Sequence, residues 1–185
     1  MLTPNQFRLP ALTPRQSRGF SLIELLIVVA IILVIAAIAV PQLLRARIAA
    51  NEAAAGETVR TVTTAAMAYS STWGNGFPPS LTSLGGPATG ATCNLANLID
   101  PTIATPPSQK SGFTFAYVAI GAAVPPPAGC GNAGTNSYLV TATPILNGVS
   151  GIRSFCADEA GTIHYDITGV MAPSQSVCEA LPTLQ

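Results

Sequence analysis

The twenty residues LLIVVAIILVIAAIAVPQLL, Leu25 to Leu44, decide the fold. None is charged, and the first sixteen are all Leu, Ile, Val or Ala. Wound as an α-helix, twenty residues reach about 30 Å, the thickness of a bilayer's hydrocarbon core. Three readings compete for such a stretch: a buried helix of a soluble protein, a cleaved secretory signal peptide and a membrane anchor. The stretch is apolar on every side, and the remaining chain is small for burying it. As a signal peptide it would have Arg8, Arg15 and Arg18 in its n-region. Against that, Glu24 stands directly before the run. Pro41-Gln42-Leu43-Leu44 also leads into Arg45 without a small-x-small cleavage site. Composition therefore favours a signal-anchor helix.

The rest of the composition narrows the class further. The chain has 185 residues, of which 49% are hydrophobic, 6% aromatic and 9% charged. Ordinary soluble domains carry roughly 25% charge. Eight Lys and Arg balance eight Asp and Glu, so there is no basic surplus of the kind a free nucleic-acid binder shows. Neither is this a highly charged disordered chain. Sixteen Gly and sixteen Pro are many, but they lack the strict G-X-Y period of collagen. The length suits one domain, or one small domain plus an appended element.

Immediately upstream of the apolar run lies Arg18-Gly19-Phe20-Ser21-Leu22-Ile23-Glu24-Leu25-Leu26-Ile27-Val28. This pattern resembles the class III signal sequence of type IV pilins and type II secretion pseudopilins, and the resemblance covers residues 15 to 48. It implies that a prepilin peptidase cuts between Gly19 and Phe20 on the cytoplasmic side and methylates the new Phe20 amine. Cleavage there removes nineteen residues, leaves 166, and discards Arg8, Arg15 and Arg18. The mature side chains then carry five basic and eight acidic groups, a formal net of −3. Before cleavage, Arg15 and Arg18 hold their flank in the cytoplasm by the positive-inside rule, which puts the C-terminal part outside the inner membrane. A nineteen-residue leader is longer than the shortest pilin leaders.

The resemblance also gives Glu24 and Pro41 roles. Glu24 matches the family's glutamate at the fifth mature position and Pro41 its helix-kinking proline. A carboxylate beside an apolar run is costly in lipid unless paired or protonated. No side-chain cation lies between Arg18 and Arg45, so the Phe20 amine becomes the nearest one after cleavage. The resemblance implies that Glu24 neutralises the Phe20 amine of a neighbouring subunit during filament assembly. The plainer alternative is an acid favoured by the helix dipole at an N-terminus. Pro41 cannot donate an i→i−4 hydrogen bond and should kink or loosen the helix. Whether that bend serves subunit packing or is an ordinary transmembrane kink stays open. Ser21 could cap the helix, but it lies too near the new terminus for that to matter.

Helical character continues beyond the membrane run. Val59, Val62, Ala66, Tyr69 and Trp73 recur at steps of three and four, with Leu44, Ile48, Asn51 and Ala55 extending the stripe backwards. Arg45, Glu52, Glu57, Arg60, Thr61, Thr64 and Ser71 supply polar groups among them. The pattern predicts an amphipathic segment supporting a globular head, weakened locally at Gly56. One helix over 21–73 would reach about 80 Å. Gly74-Asn75-Gly76 and Pro78-Pro79 end it. Leu81, Leu84, Leu95, Leu98 and Ile99 suit short packed turns or a small helix. Strands are predicted at 113–119 and 138–144, with a loop at Pro125-Pro126-Pro127 and Gly129 to Gly134. Residues 152–157 and 162–165 flank a turn at Asp158-Glu159-Ala160-Gly161 as a hairpin. The expected fold class is α+β and type IV pilin-like: a long N-terminal helix packed on a small antiparallel sheet of three or four strands. The expected organisation is a leader at 1–19, a helix at 20–73 with its membrane and filament-core part at 20–44, and a head at 74–185.

Cys93, Cys130, Cys156 and Cys178 all fall on the extracytoplasmic side of this arrangement. Four cysteines allow three pairings, and two disulfides suit a small loop-rich head in an oxidising compartment. The preferred pairing is Cys93 with Cys130 and Cys156 with Cys178. The second would close a C-terminal loop that resembles the disulfide-bounded loop of many pilins. The cysteines contain no CxxC, which argues against zinc. His164, the single histidine, reads as a surface or packed strand residue, and no catalytic constellation stands out. Asp158, Glu159 and Asp166 do not match an EF-hand and read as a solvated acidic hairpin; the calcium held by some pseudopilin heads is the alternative. No cofactor is expected, and there is no Walker lysine motif. Lys110 and Arg153 are too sparse for a convincing DNA-binding patch.

The expected function is that of a non-enzymatic structural subunit that polymerises into a type IV pilus through its apolar helix. The expected partners are copies of itself, a prepilin peptidase and an inner-membrane assembly platform. The expected location is the bacterial inner membrane before assembly and the cell surface afterwards. A type II secretion pseudopilin driving protein export is the alternative. A third class, an ordinary signal-anchored enzyme or binding protein, would be processed elsewhere than at Gly19 and Phe20.

Overall fold

The computed structural model describes residues 19–87 and 89–184. The leader with Arg8, Arg15 and Arg18 thus lies outside the described residues, apart from Gly19. The chain divides into two compact units, Met1–Pro41 and Gln42–Gln185. Helix α1, Leu22–Trp73, runs through both.

In the second unit, the later part of α1 forms one layer and an antiparallel sheet the other. Ala55, Val59, Val62, Ala66 and Tyr69 are buried, as the three–four spacing predicts, and Trp73 packs at the rim of the same cluster. The helix ends where the glycines stand: Gly74 (φ 66°) and Gly76 (φ 76°) adopt a conformation that a β-carbon disfavours. Short helices α2 (Leu81–Leu84) and α3 (Pro101–Ala104) follow. Ser80 and Asp100 cap them, accepting from the Ser83 and Thr102 N–H groups.

The sheet contains β1 (Gln109–Lys110), β2 (Phe113–Val124), β3 (Gly134–Pro144), β4 (Ser154–Asp158) and β5 (Ile163–Asp166). These strands are ordered β1-β2-β3-β4-β5, every neighbour antiparallel. The sequence predicts β2 and β3 as strands and β4/β5 as a hairpin; β2 runs five residues further than expected, past a register shift between Ile120 and Ala123, and the two-residue β1 paired to its start makes five strands where three or four are expected. The outer edge of β5 is covered by the chain's end, where Tyr165 N–H donates to Pro182 O and Leu184 N–H to Ile163 O.

Alternation along the strands sorts the sheet's two faces. Tyr138, Val140, Ala142, Phe155 and Ala157 join the helix-side core. Leu139 and Cys156 face the other way into a second cluster with Ala172 and Cys178. That outer face is roofed by the segment leading into α4 (Gln175–Glu179), so all five residues of β4 are buried. Disulfides join Cys93 to Cys130 and Cys156 to Cys178. The second pins the roof to β4, and the first ties the loop after α2 to the β2–β3 loop.

The acidic turn also departs from expectation: Asp158 and Glu159 are not a solvated hairpin. Asp158 is buried and accepts from Ala160 N–H, while Glu159 accepts from Ser137 Oγ at 2.7 Å and from the Gln175 side-chain amide. The roof over the outer face brings Gln175 to these carboxylates. Burial opposes the ionisation of Glu159, but these hydrogen bonds outweigh it and lower its pKa. Gly56 lies in an unbroken stretch of α1 and is buried, so its intrinsic cost to the helix comes with a packing role. A β-carbon there would sit 3.2 Å from Leu184 Cδ2, so the glycine admits the chain's end against the helix.

The second unit is also fastened by an ion pair that spans 101 residues of sequence. Glu52 on α1 accepts from the Ile152 and Arg153 N–H groups at 2.7 and 3.0 Å and from Arg153 Nε at 2.8 Å. The Arg153 guanidinium lies over the Phe155 and Tyr165 rings. Burial opposes ionisation of Glu52, but the two N–H groups and the guanidinium outweigh it and hold its carboxyl below the ordinary 4.5. A Glu52→Ala substitution strands three donors. It should lower the unfolding free energy by about 2 kcal/mol, less than for a fully buried pair because Arg153 is partly exposed. Because the folded pKa is depressed, this contribution is complete above the unfolded value and fades as pH falls through the folded one. Urea unfolding of both proteins in detergent should give a difference that shrinks in acid. An equal difference at about pH 3 would contradict the pairing.

Candidate membrane and assembly helix

The first unit presents a site of a different kind. Gly19 to Ser21 are non-helical, and α1 begins at Leu22. Its first turn is closed by the backbone, with Glu24 and Leu25 N–H donating to Ser21 O at 3.1 and 3.2 Å. Phe20 is 79% exposed, and none of the described residues comes within 4 Å of a β-carbon placed on Gly19. The peptide bond between these two residues lies in a non-helical segment ahead of α1.

Glu24 sits exposed in the first turn of α1 and takes part in no ion pair among the described residues. From Leu22 to Leu44, sixteen Leu, Ile and Val side chains are exposed, none less than 46%. The helix is long and apolar enough to cross a membrane, and none of its most apolar stretch is buried inside the protein. So large a continuous apolar surface marks a site of contact with a membrane or another protein and calls for cover from beyond the described residues. Pro41 lies within α1, whose helical assignment continues through it. Its missing N–H leaves the Ala37 carbonyl without its usual donor, which lowers the local cost of bending.

Among the described residues, the arrangement offers a non-helical Gly19–Phe20 segment, a carboxylate in no ion pair and an uncovered apolar rod, and it brings together no nucleophile, base or metal ligands. His164, far from it in sequence, is a packed strand residue with Nδ1 2.7 Å from Leu181 O. Among the described residues, no group of three or more His, Cys, Asp or Glu is placed to hold a metal ion. Sequence reasoning did not find the Glu52–Arg153 fastening. Glu52 falls among the polar residues of α1, and no local signal links it to Arg153.

A testable consequence separates the two units. A chain beginning at Gln42, secreted into an oxidising compartment, should run as a soluble species without detergent and retain both disulfides. The chain with residues 20–41 present should need detergent. Size-exclusion chromatography of the two checks this; detergent dependence of the shorter chain would show that the second unit also needs outside cover.

A family model described as the prokaryotic N-terminal methylation motif matches residues 14–40. No curated protein and no solved structure was found to match the chain. The matched segment contains the Gly19–Phe20 bond, Glu24 and most of the uncovered apolar helix. Together with a long helix packed against a small antiparallel sheet, this gives the chain the N-terminal methylation motif and the α+β architecture characteristic of type IV pilins and pseudopilins.

Proposed function

We propose that this chain is a structural subunit that polymerises into a type IV pilus after its leader is removed. The observation that carries the reading is the rod of exposed aliphatic side chains from Leu22 to Leu44, directly behind the methylation motif. Lipid covers that rod in the inner-membrane precursor, and the rods of neighbouring copies cover it in the filament. A prepilin peptidase cuts between Gly19 and Phe20 and methylates the Phe20 amine, and an inner-membrane platform adds the subunit to the filament. The non-helical segment at Gly19 supports access for that enzyme.

Glu24 then has a specific task. During transfer from lipid to filament it enters an apolar environment, where an unpaired carboxylate is strongly disfavoured. The amine of Phe20 on a neighbouring copy neutralises it. Pro41 lets the helix bend as copies pack. The chain acts through assembly and not through catalysis.

Mass spectrometry of sheared surface filaments should recover a subunit beginning at methylated Phe20. A Glu24→Ala substitution should leave cleavage intact and lower filament yield by about tenfold or more, the factor that loss of ~1.4 kcal/mol of pairing gives. Normal filament yield from that variant would refute the pairing role. Mature chain confined to a periplasmic fraction needed for protein export would assign it to a secretion pseudopilus instead.

A further inference from the structure

The second unit carries an apolar patch of its own, which the assembly reading does not use. Two loops, 145–152 and 167–170, expose Ile145, Leu146, Val149, Ile152, Ile167 and Val170, each between 46 and 69%. The loops are held as one surface. Asn147 Nδ2 donates to Thr168 O at 2.8 Å, joining them to each other. Asn51 Nδ2 donates to Ser150 O at 2.9 Å, and Glu52 accepts from Ile152 N–H, joining them to α1. Two clefts of about 390 and 330 Å³ flank this stretch of helix; Arg45 lines the first and Arg47 the second.

Positive charge outnumbers negative on this surface. Neither loop contains an acidic residue; Asp166, directly before the second loop, accepts from Thr168 N–H at 2.8 Å, and the nearest acid on the helix, Glu52, is neutralised by Arg153. Arg45 and Arg47 take part in no ion pair among the described residues. The patch also begins where the apolar run ends. Arg45 follows Leu44 directly, and Arg47 lies about 3 Å further along the helix axis. A bilayer's headgroup layer is roughly 5–8 Å deep on each side. Exposed aliphatics beside unpaired arginines at this depth are the chemistry of an interfacial membrane contact, with apolar groups at the acyl boundary and cations at phosphates.

We infer that, while the Leu25–Leu44 segment crosses the bilayer, the surface formed by loops 145–152 and 167–170 docks on the extracytoplasmic headgroups of anionic lipids through Arg45 and Arg47. This rests on the membrane-crossing reading proposed above. Docking holds the unassembled subunit against the membrane at a second point, and extraction into a filament must break it.

The test uses the full chain, one copy per lipid nanodisc, with acyl-brominated lipids as short-range quenchers. In a Trp73→Phe background, single reporters are placed by Ile32→Trp in the anchor, Leu146→Trp in the patch and Leu98→Trp elsewhere on the second unit. The Ile32 reporter should be quenched in every disc. The Leu146 reporter should be quenched about twofold in discs of phosphatidylglycerol and far less in phosphatidylcholine, with the Leu98 reporter unaffected. Arg45→Gln and Arg47→Gln should each lower the docking equilibrium constant about fivefold in anionic discs. Quenching at Ile32 without quenching at Leu146 overturns the docking and leaves the anchor intact. Absence of quenching at Ile32 overturns the membrane reading, and the docking with it. Equal Leu146 quenching in both lipids overturns the role of the arginines. Leu146 quenching or burial only in discs holding two copies assigns the patch to contact between copies and overturns the lipid assignment.

Discussion

The constraint on which the structure turns is the lack of internal cover for the first part of α1. Between Leu22 and Leu44, sixteen large aliphatic side chains face outward, with nothing in the described chain packed over them. At about 25 cal/mol per Å² of apolar surface removed from water, covering them from outside the chain is a strong driving force. A membrane can supply that cover, and so can other copies of the same helix. The proposed life of the subunit is a passage between these two environments. Glu24 is the one charged group in that part of the helix, which is why its pairing governs the passage in this account.

The second unit solves its own burial problem separately. Its part of α1 has an ordinary apolar stripe, and the sheet's inner face covers it. The sheet's outer face is covered by the chain's last segment, tied down by Cys156–Cys178. Small residues make the layers fit: Gly56 lets Leu184 approach the helix, and Gly151 sits against the Phe113 ring where a β-carbon would clash. The Glu52–Arg153 pair fixes where the β3–β4 connection meets the helix. A head stabilised in this way does not depend on the anchor for its core and can remain folded through a change in the anchor's surroundings.

The legible parts of the sequence were those with local signals. A continuous aliphatic run as long as a bilayer is thick, behind Glu24 and without a small-x-small site, favours a membrane helix, and the three–four spacing of Val59, Val62, Ala66 and Tyr69 marks the buried face. Gly74 and Gly76 announce the end of α1, and the strands of the two major hairpins follow from β-branched and aromatic runs bounded by turn residues. The rest depended on contacts across long stretches of chain. That the acidic turn at Asp158 and Glu159 is half interior is set by Gln175, which no spacing links to it. Gly56 reads as a weak point until the position of Leu184 is known. The methylation motif was legible because it is local: Gly19, Phe20 and Glu24 stand within residues 14–40, and their order along the chain needs no partner from the head.

The central claim is that lipid first, and other copies later, cover the helix from Leu22 to Leu44. Site-specific photocrosslinking from a benzoylphenylalanine placed at Ile31, in cells, measures that cover directly. The account predicts crosslinks to lipid in the membrane fraction and chain-to-chain crosslinks in sheared filaments. Crosslinks from Ile31 to the chain's own second unit, in both fractions, would contradict it.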